Sequence, residues 1–340
     1  MKKFIFLFIF LLSGCTRIKL QDYLYPISIG LDYKDNNFYI YYHVVSYSKI
    51  SKKENESSFD ENYESIILKG YGPTIYEALK KVNNITKTSI STTHIRSFIV
   101  STSLINNNEN YLSLIKYFYD TNYLRSNINI FSTDSILDVY TASKIIDNTS
   151  YSNEINHPTH YLYLKPMNYL NFLKNVYDNR TTYLPFIIID KNSSSYVEEG
   201  ETKDNKIIEI NGAIFINNKY FKYLSNDKIK GNYYMFNREY IGIEIINKVY
   251  MIAKKLTYKT KLKDKIIFSI KLTNCNFYLN NLDIEEAKLL IEDKIKKDIN
   301  ETYINCYDSI DIYHLNDYKN RFNINNKYDV EVIFKQTSIN

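Results

Sequence analysis

The chain has 340 residues, length enough for two or three domains of ~100–200 residues each. Its formal charge is +5. Acidic and basic residues are interspersed, with no Lys/Arg block of the kind that follows a phosphate backbone, which excludes a nucleic-acid-binding reading. The composition holds 35 Tyr, no Trp and only 8 Gly, and it favours Asn, Ile and Lys. These favoured residues have AT-rich codons, so the bias reflects a genome's base composition and not an aromatic platform for sugars or bases.

At the N-terminus, Lys2 and Lys3 precede the apolar stretch Phe4 to Leu12, which runs into Leu12-Ser13-Gly14-Cys15. Charge, a short apolar core and a small-residue cleavage site make a secretory signal. The apolar stretch is about half the ~20 residues that a spanning helix needs. A cysteine directly after Leu-Ser-Gly matches the bacterial lipobox, in which the thiol takes a diacylglyceryl group and the leader is cut before the cysteine. The expectation is therefore a signal peptide over 1–14 and a lipidated Cys15 with its tether over 15–24. An ordinary signal peptide with an incidental cysteine is the alternative. No apolar run of ~18 residues follows, so the remainder is expected to be water-soluble. Cys275 and Cys306 remain. In an exported protein they could pair, or Cys275 could be a buried free thiol in a strand.

The first elements expected are a hairpin, Tyr25–Asp32 and Asn37–Tyr47, turned at Asn36-Asn37. Polar residues 49–62 read as a loop, and Glu64–Lys69 as a strand. Gly70-Tyr-Gly72-Pro73 reads as a turn. Thr74-Ile-Tyr-Glu77 is a capping box opening a helix whose buried stripe is Ile75, Ala78, Leu79, Val82 and Ile85. Next come a strand over Ile95–Val100 and a helix over Tyr111–Tyr119 facing inward with Leu112, Ile115 and Phe118. A strand over Asn127–Phe131 and a helix from Asp134 or Ser135 to about Ile146 follow. Pro166 suits the first turn of a helix with Tyr169, Leu170, Leu173 and Val176 on its apolar face, and Pro185–Asp190 reads as a short strand.

Residues 191–205 are polar and Ser-rich, the best linker in the chain. Beyond them, strands are expected at Ile207–Ile210, Ala213–Ile216, Tyr220–Leu224, Ile241–Ile246 and Ile266–Leu272. A helix opens at Asp283 with Ala287, Leu290, Ile291 and Ile295 in register, followed by a short helix near His314–Phe322. Tyr328, Val330, Val332 and Phe334 alternate in a closing strand. The whole reads as α+β, two to three small domains, each a mixed or antiparallel sheet packed with helices. The expected division is an N-terminal region over 25–190 with a sub-boundary near 147–165, the linker, and a C-terminal domain over 206–340.

Chemistry is sparse. The chain lacks the nucleophile elbow G-x-S-x-G, the phosphate loop, G-x-G-x-x-G, H-E-x-x-H and C-x-x-C. His157 and His160 are separated by a helix-breaking Pro158, with no third or fourth ligand near. His94 stands alone before a strand, as a loop or core histidine would. Glu198-Glu199-Gly200-Glu201 lacks the alternating oxygens of a calcium loop and reads as solvated linker. Asp120 and Arg125 read as an ion pair across a turn.

Five stretches in order carry a resemblance. They are Leu12-Ser-Gly-Cys15 with Ile29-Gly-Leu-Asp32, then Gly72-Pro-Thr-Ile-Tyr-Glu-Ala-Leu79, and Thr93-His94-Ile-Arg96 with Ser97–Val100. Tyr119-Asp120 through Arg125-Ser-Asn-Ile and Asn211-Gly212-Ala213-Ile-Phe215 with Tyr220 and Leu224 complete the set. Together they resemble the Ger(x)C family, the lipoprotein C subunits of spore germinant receptors. The sequence departs from the family at Thr16, where Trp is usual, and around Tyr307–Ile312, where the family's glycines are missing. The resemblance implies a non-enzymatic protein with no cofactor, anchored through diacylglyceryl on Cys15 to the outer face of the spore's inner membrane. It implies a role in nutrient-triggered germination beside a multi-spanning A subunit and a transporter-like B subunit. A solute-binding lipoprotein of an uptake system is the alternative function.

Overall fold

A computed structural model of the protein describes residues 23–45, 65–86, 89–121, 124–142, 163–190, 195–198, 201–204, 207–217, 220–306, 310–322 and 328–339. Cys15 and its leader, the loop at 49–62 and the His157/His160 pair lie outside the described residues, as does most of the sub-boundary at 147–165.

The strands are β1 (Tyr23–Leu24), β2 (Pro26–Lys34), β3 (Asn37–Val45), β4 (Ser65–Gly72), β5 (Ser89–Ile90), β6 (Ser97–Ser101), β7 (Asn129–Thr133) and β8 (Thr182–Asp190). They continue with β9 (Ser195–Glu198), β10 (Glu201–Asp204), β11 (Ile207–Asn217), β12 (Tyr220–Leu224), β13 (Arg238–Ile245), β14 (Val249–Leu262), β15 (Ile266–Leu279) and β16 (Tyr328–Ile339). The helices are α1 (Ile75–Ile85), α2 (Thr102–Ile105), α3 (Asn108–Asp120), α4 (Ile136–Thr141), α5 (Tyr169–Tyr177), α6 (Ile284–Cys306) and α7 (Leu315–Phe322). The architecture is α+β, with mixed sheets packed against helices.

An eight-stranded sheet runs in the order β12-β11-β8-β7-β6-β2-β3-β4. Its centre, β8-β7-β6-β2, is parallel, and each flank is antiparallel. The alternation in β6 shows how the layers form, since successive strand residues point to opposite faces. Phe98 and Val100 enter the core under α1, α2, α3 and α5, while Ile99 enters the smaller core under α4. The β2–β3 turn is Asp35-Asn36, both with positive φ (51° and 57°), one residue earlier than expected and in the geometry that suits a twisted hairpin.

Residues on both sides of 191–205 share this sheet, because β11 pairs antiparallel with β8. The intervening segment contains its own two-stranded ribbon, β9-β10. The two strands expected at 207–210 and 213–216 are one strand with a bulge, where Gly212 takes φ +86°. A Cβ there would lie 2.0 Å from the Leu224 carbonyl oxygen.

The second sheet is β13-β14-β15-β16, antiparallel until the final parallel pair. One face packs on α6 through Ala287, Ile291, Ile295 and Ile299. A fourth cluster, in which Phe215 and Leu224 meet Ile229, Cys306 and Ile310, joins the end of the large sheet to the C-terminus of α6.

Several local expectations are corrected. Gly70 and Gly72 belong to β4, where glycine lets α1 lie against the strand. The helix expected over 111–119 starts at 108, capped by Asn107, and its inward face is Tyr111, Leu114, Ile115 and Phe118. Leu112 and Leu170 are exposed, because the faces of α3 and α5 centre one position away, Phe172 replacing Leu170 in the core. Pro166 precedes the α5 cap at Asn168 and is not in its first turn. α4 ends at Thr141. β14 was not expected at all, since its lysines dilute the alternation.

Candidate functional site

The predicted caps form as the sequence requires. Thr74 Oγ1 accepts the Glu77 amide hydrogen at 3.2 Å, and Asp283 Oδ1 accepts those of Glu285 and Glu286 at 2.8 Å each. These fix α1 and α6 but create no chemistry. His94 ends a short 3₁₀ turn at 92–94, with its Nδ1 3.0 Å from Thr93 Oγ1 and its ring edge-on to Tyr25 at 4.8 Å. Asp120 accepts the Tyr76 hydroxyl at 2.7 Å, tying α3 to α1, and no ion pair joins it to exposed Arg125 among the described residues. The backbones of Glu198 and Glu201 pair in the antiparallel β9–β10 ribbon.

Cys275 and Cys306 are free, buried and in different clusters. Burial raises the Cys275 thiol to about 11 and the Cys306 thiol to about 12. Both stay protonated, and a protonated thiol is neither nucleophile nor ligand. Among the described residues no three His, Cys, Asp or Glu side chains come close enough to hold a metal ion. No helix among them is long and apolar enough to cross a membrane.

A buried polar group unmarked in the sequence lies under α4. The Tyr140 hydroxyl is 2.9 Å from Ser28 Oγ, which accepts a hydrogen bond from Ser97 Oγ at 2.8 Å. The His43 ring stacks on Tyr140 at 5.1 Å. Burial drives the Tyr140 phenol far above its ordinary value, so it stays a neutral hydrogen-bonding group.

One open cleft of about 760 Å³ sits on the helical face of the large sheet. Tyr111, Leu112 and Ile115 of α3 form one wall, and Val176 of α5 with the following Arg180 forms another. Thr182 of β8, Ile216 of β11 and Tyr220 of β12 close the floor and rim. The hydroxyl of Thr182 is buried and has no hydrogen-bond partner among the described residues. Burial holds the Tyr111 phenol well above its usual range, hence neutral. Among the described residues the lining contains no carboxylate, histidine or thiol. What it can do is bind, with amide, phenol and guanidinium groups set around an apolar floor.

A family model described as the spore germination protein N-terminal domain matches residues 16–189, more than half of the chain. The chain belongs to this family. The matched segment spans β1 to β8 and so takes in the parallel centre of the large sheet. Comparison with curated proteins found no match. Among solved structures the chain is similar to one titled "Crystal Structure of the GerBC protein", at 13% identity and a TM-score of 0.46. That similarity covers 92% of this chain and 96% of the other.

Proposed function

We propose that this spore germination family member is the lipid-anchored, non-enzymatic C subunit of a nutrient germinant receptor. Diacylglyceryl on Cys15 holds it to the outer face of the spore's inner membrane, where it works beside membrane-embedded A and B subunits. The observation that carries the reading is a coincidence of positions: the family domain begins at residue 16, directly after the lipobox cysteine. A leader cut before Cys15 leaves the family's domain as nearly the first thing in the mature chain. Two acyl chains suit stable anchoring, since each buried CH₂ contributes ~0.8 kcal/mol and one chain holds only marginally. The cleft's apolar floor, with amide, phenol and guanidinium groups around it, suits a receptor component. It also favours the second reading, a solute-binding lipoprotein of an uptake system.

Two experiments test the proposal. Cys15→Ala should move the protein from the membrane fraction to the soluble fraction, and a variant that still pellets with membranes overturns the anchor. Deleting the gene should leave sporulation intact and abolish nutrient-triggered germination. Normal germination in a strain without a paralogue overturns the receptor role, and loss of solute uptake instead would establish the second reading.

A further inference from the structure

Among the described residues, α6 covers one face of the four-stranded sheet and no helix packs on the other. Ile270 and Leu272 of β15 point into the core against α6, so Lys271 between them points the opposite way. The register then gathers lysines that are far apart in sequence. Thr273 lies between Lys255 of β14 and Lys335 of β16, and on the same face Ser269 lies opposite Lys259. With strands ~4.8 Å apart and residues rising ~3.3 Å, Lys255, Lys259, Lys271 and Lys335 fall within a patch of roughly 10–13 Å.

None of the four makes an ion pair among the described residues. The carboxylates nearby are largely committed elsewhere. Glu331, in register with Ser269 on this face, is held by Lys261, Asp329 is held by Lys265 at 2.8 Å, and Glu239 lies in register opposite Lys255. Like charge crowds like: the Lys271 ammonium is pulled below its ordinary value, chiefly by Lys335 and then by Lys259 and Lys255. A solvated strand face would balance charges of both signs, whereas this one gathers four lysines against two neighbouring carboxylates, Glu239 and Glu331, and so holds positive charge in excess.

We infer that the bare face of the β13–β16 sheet docks on an anionic phospholipid surface. The inference rests on the proposed membrane tether, which would hold the protein within reach of such a surface. Charge complementarity selects a membrane over a protein partner. Protein interfaces are depleted of Lys at their cores and enriched in aromatic anchors, while here Thr257, Ser269, Thr273 and one aliphatic residue, Ile333, fill the gaps between lysines. Flexible ammonium groups on a pleated face match a plane of headgroups, where each Lys near the surface strengthens binding roughly fivefold.

The test uses a chain begun at Thr16, which keeps every described element because the first starts at Tyr23, and which carries no acyl group. It is sedimented with phosphatidylcholine vesicles, with and without about one-third phosphatidylglycerol. Binding should require phosphatidylglycerol and vanish at high salt. Replacing Lys255, Lys259, Lys271 and Lys335 together by Gln should weaken it by about 100-fold or more. A control with the same net charge, replacing Lys80, Lys116, Lys174 and Lys297 by Gln, should change it less than about threefold if the patch and not overall charge is responsible. Absence of phosphatidylglycerol-dependent binding, or equal losses in the two variants, overturns the inference. Failed vesicle binding with impaired germination in the first variant would assign the face to an acidic protein instead. Either failure leaves the Cys15→Ala fractionation result untouched, so the tether and the docking face are judged separately.

Discussion

Tyr234 donates its phenol hydrogen to the buried carboxylate of Asp298 at 3.0 Å, joining the 3₁₀ segment 230–234 to the middle of α6. Lys294, one turn earlier, approaches the same carboxylate at 3.1 Å. The Gly231 amide reinforces the join by donating to Thr302 Oγ1 at 2.8 Å. Burial first, and then the Asp298 charge, raises the Tyr234 phenol far above its ordinary value, so it remains a donor at every physiological pH. Deleting the donor leaves a buried anion short of a hydrogen bond. Tyr234→Phe is expected to cost about 1.5–3 kcal/mol, measured by urea unfolding followed by circular dichroism. Lys294 is partly exposed, so Lys294→Met should cost less than about 1 kcal/mol.

Gly70 sits where β4 meets α1. A Cβ at this position would lie 2.4 Å from the Ala78 carbonyl oxygen and 2.5 Å from Val82 Cγ2. The first obstacle is helix backbone, which cannot rotate aside. Gly70→Ala should therefore destabilise by about 1–3 kcal/mol through overpacking, read as a lowered urea midpoint with an unchanged slope. A neutral result would mean that α1 lies farther from β4 than described.

How much of this was legible beforehand depends on whether the signal was local. The α1 and α6 starts were, because a cap is a three-residue pattern, and the alternation of Tyr328 to Phe334 was plain. β14 was not. Its inward set runs Val249, Met251, Ala253 and then shifts parity to Leu256 and Tyr258 across the adjacent exposed pair Lys254-Lys255. That slip, with lysines at four of the seven outward positions, erases a period of two. The cleft was invisible for another reason, since its residues come from α3, α5, β8, β11 and β12. The basic face was hidden similarly. Lys335 meets Lys271 only through the parallel β15–β16 pairing, which no local pattern announces.

The two described cysteines provide a chemical test of core burial. With thiols raised to about 11 at Cys275 and about 12 at Cys306, the native protein carries almost no thiolate at mildly alkaline pH. In a chain lacking Cys15, a thiol reagent at pH ~8 should label neither residue in the native state and both in denaturant, without prior reduction. Labelling that required reduction would mean a disulfide, and rapid native labelling would mean an open core.

Tyrosine burial sets the alkaline limit of the fold. Burial raises Tyr41, Tyr258 and Tyr328 to about 12, each with smaller contributions from neighbours, Asp32 for Tyr41 and Tyr303 for Tyr328. An unfolded tyrosine ionises near pH ~10. For groups whose folded value lies above the unfolded one, the stabilisation is complete below the unfolded value and is lost as pH rises through the folded value. Stability should thus hold up to about pH 10 and fall steadily between about 10 and 12. Phenolate absorbance from these three residues should appear together with loss of the far-ultraviolet dichroism of the sheets, not before it. Replacing Tyr258 by Phe removes one of the groups that must ionise, so the alkaline midpoint should move to higher pH once corrected for the variant's stability at neutral pH. If the buried phenols instead ionise while the dichroism is intact, the described packing around β3, β14 and β16 is wrong.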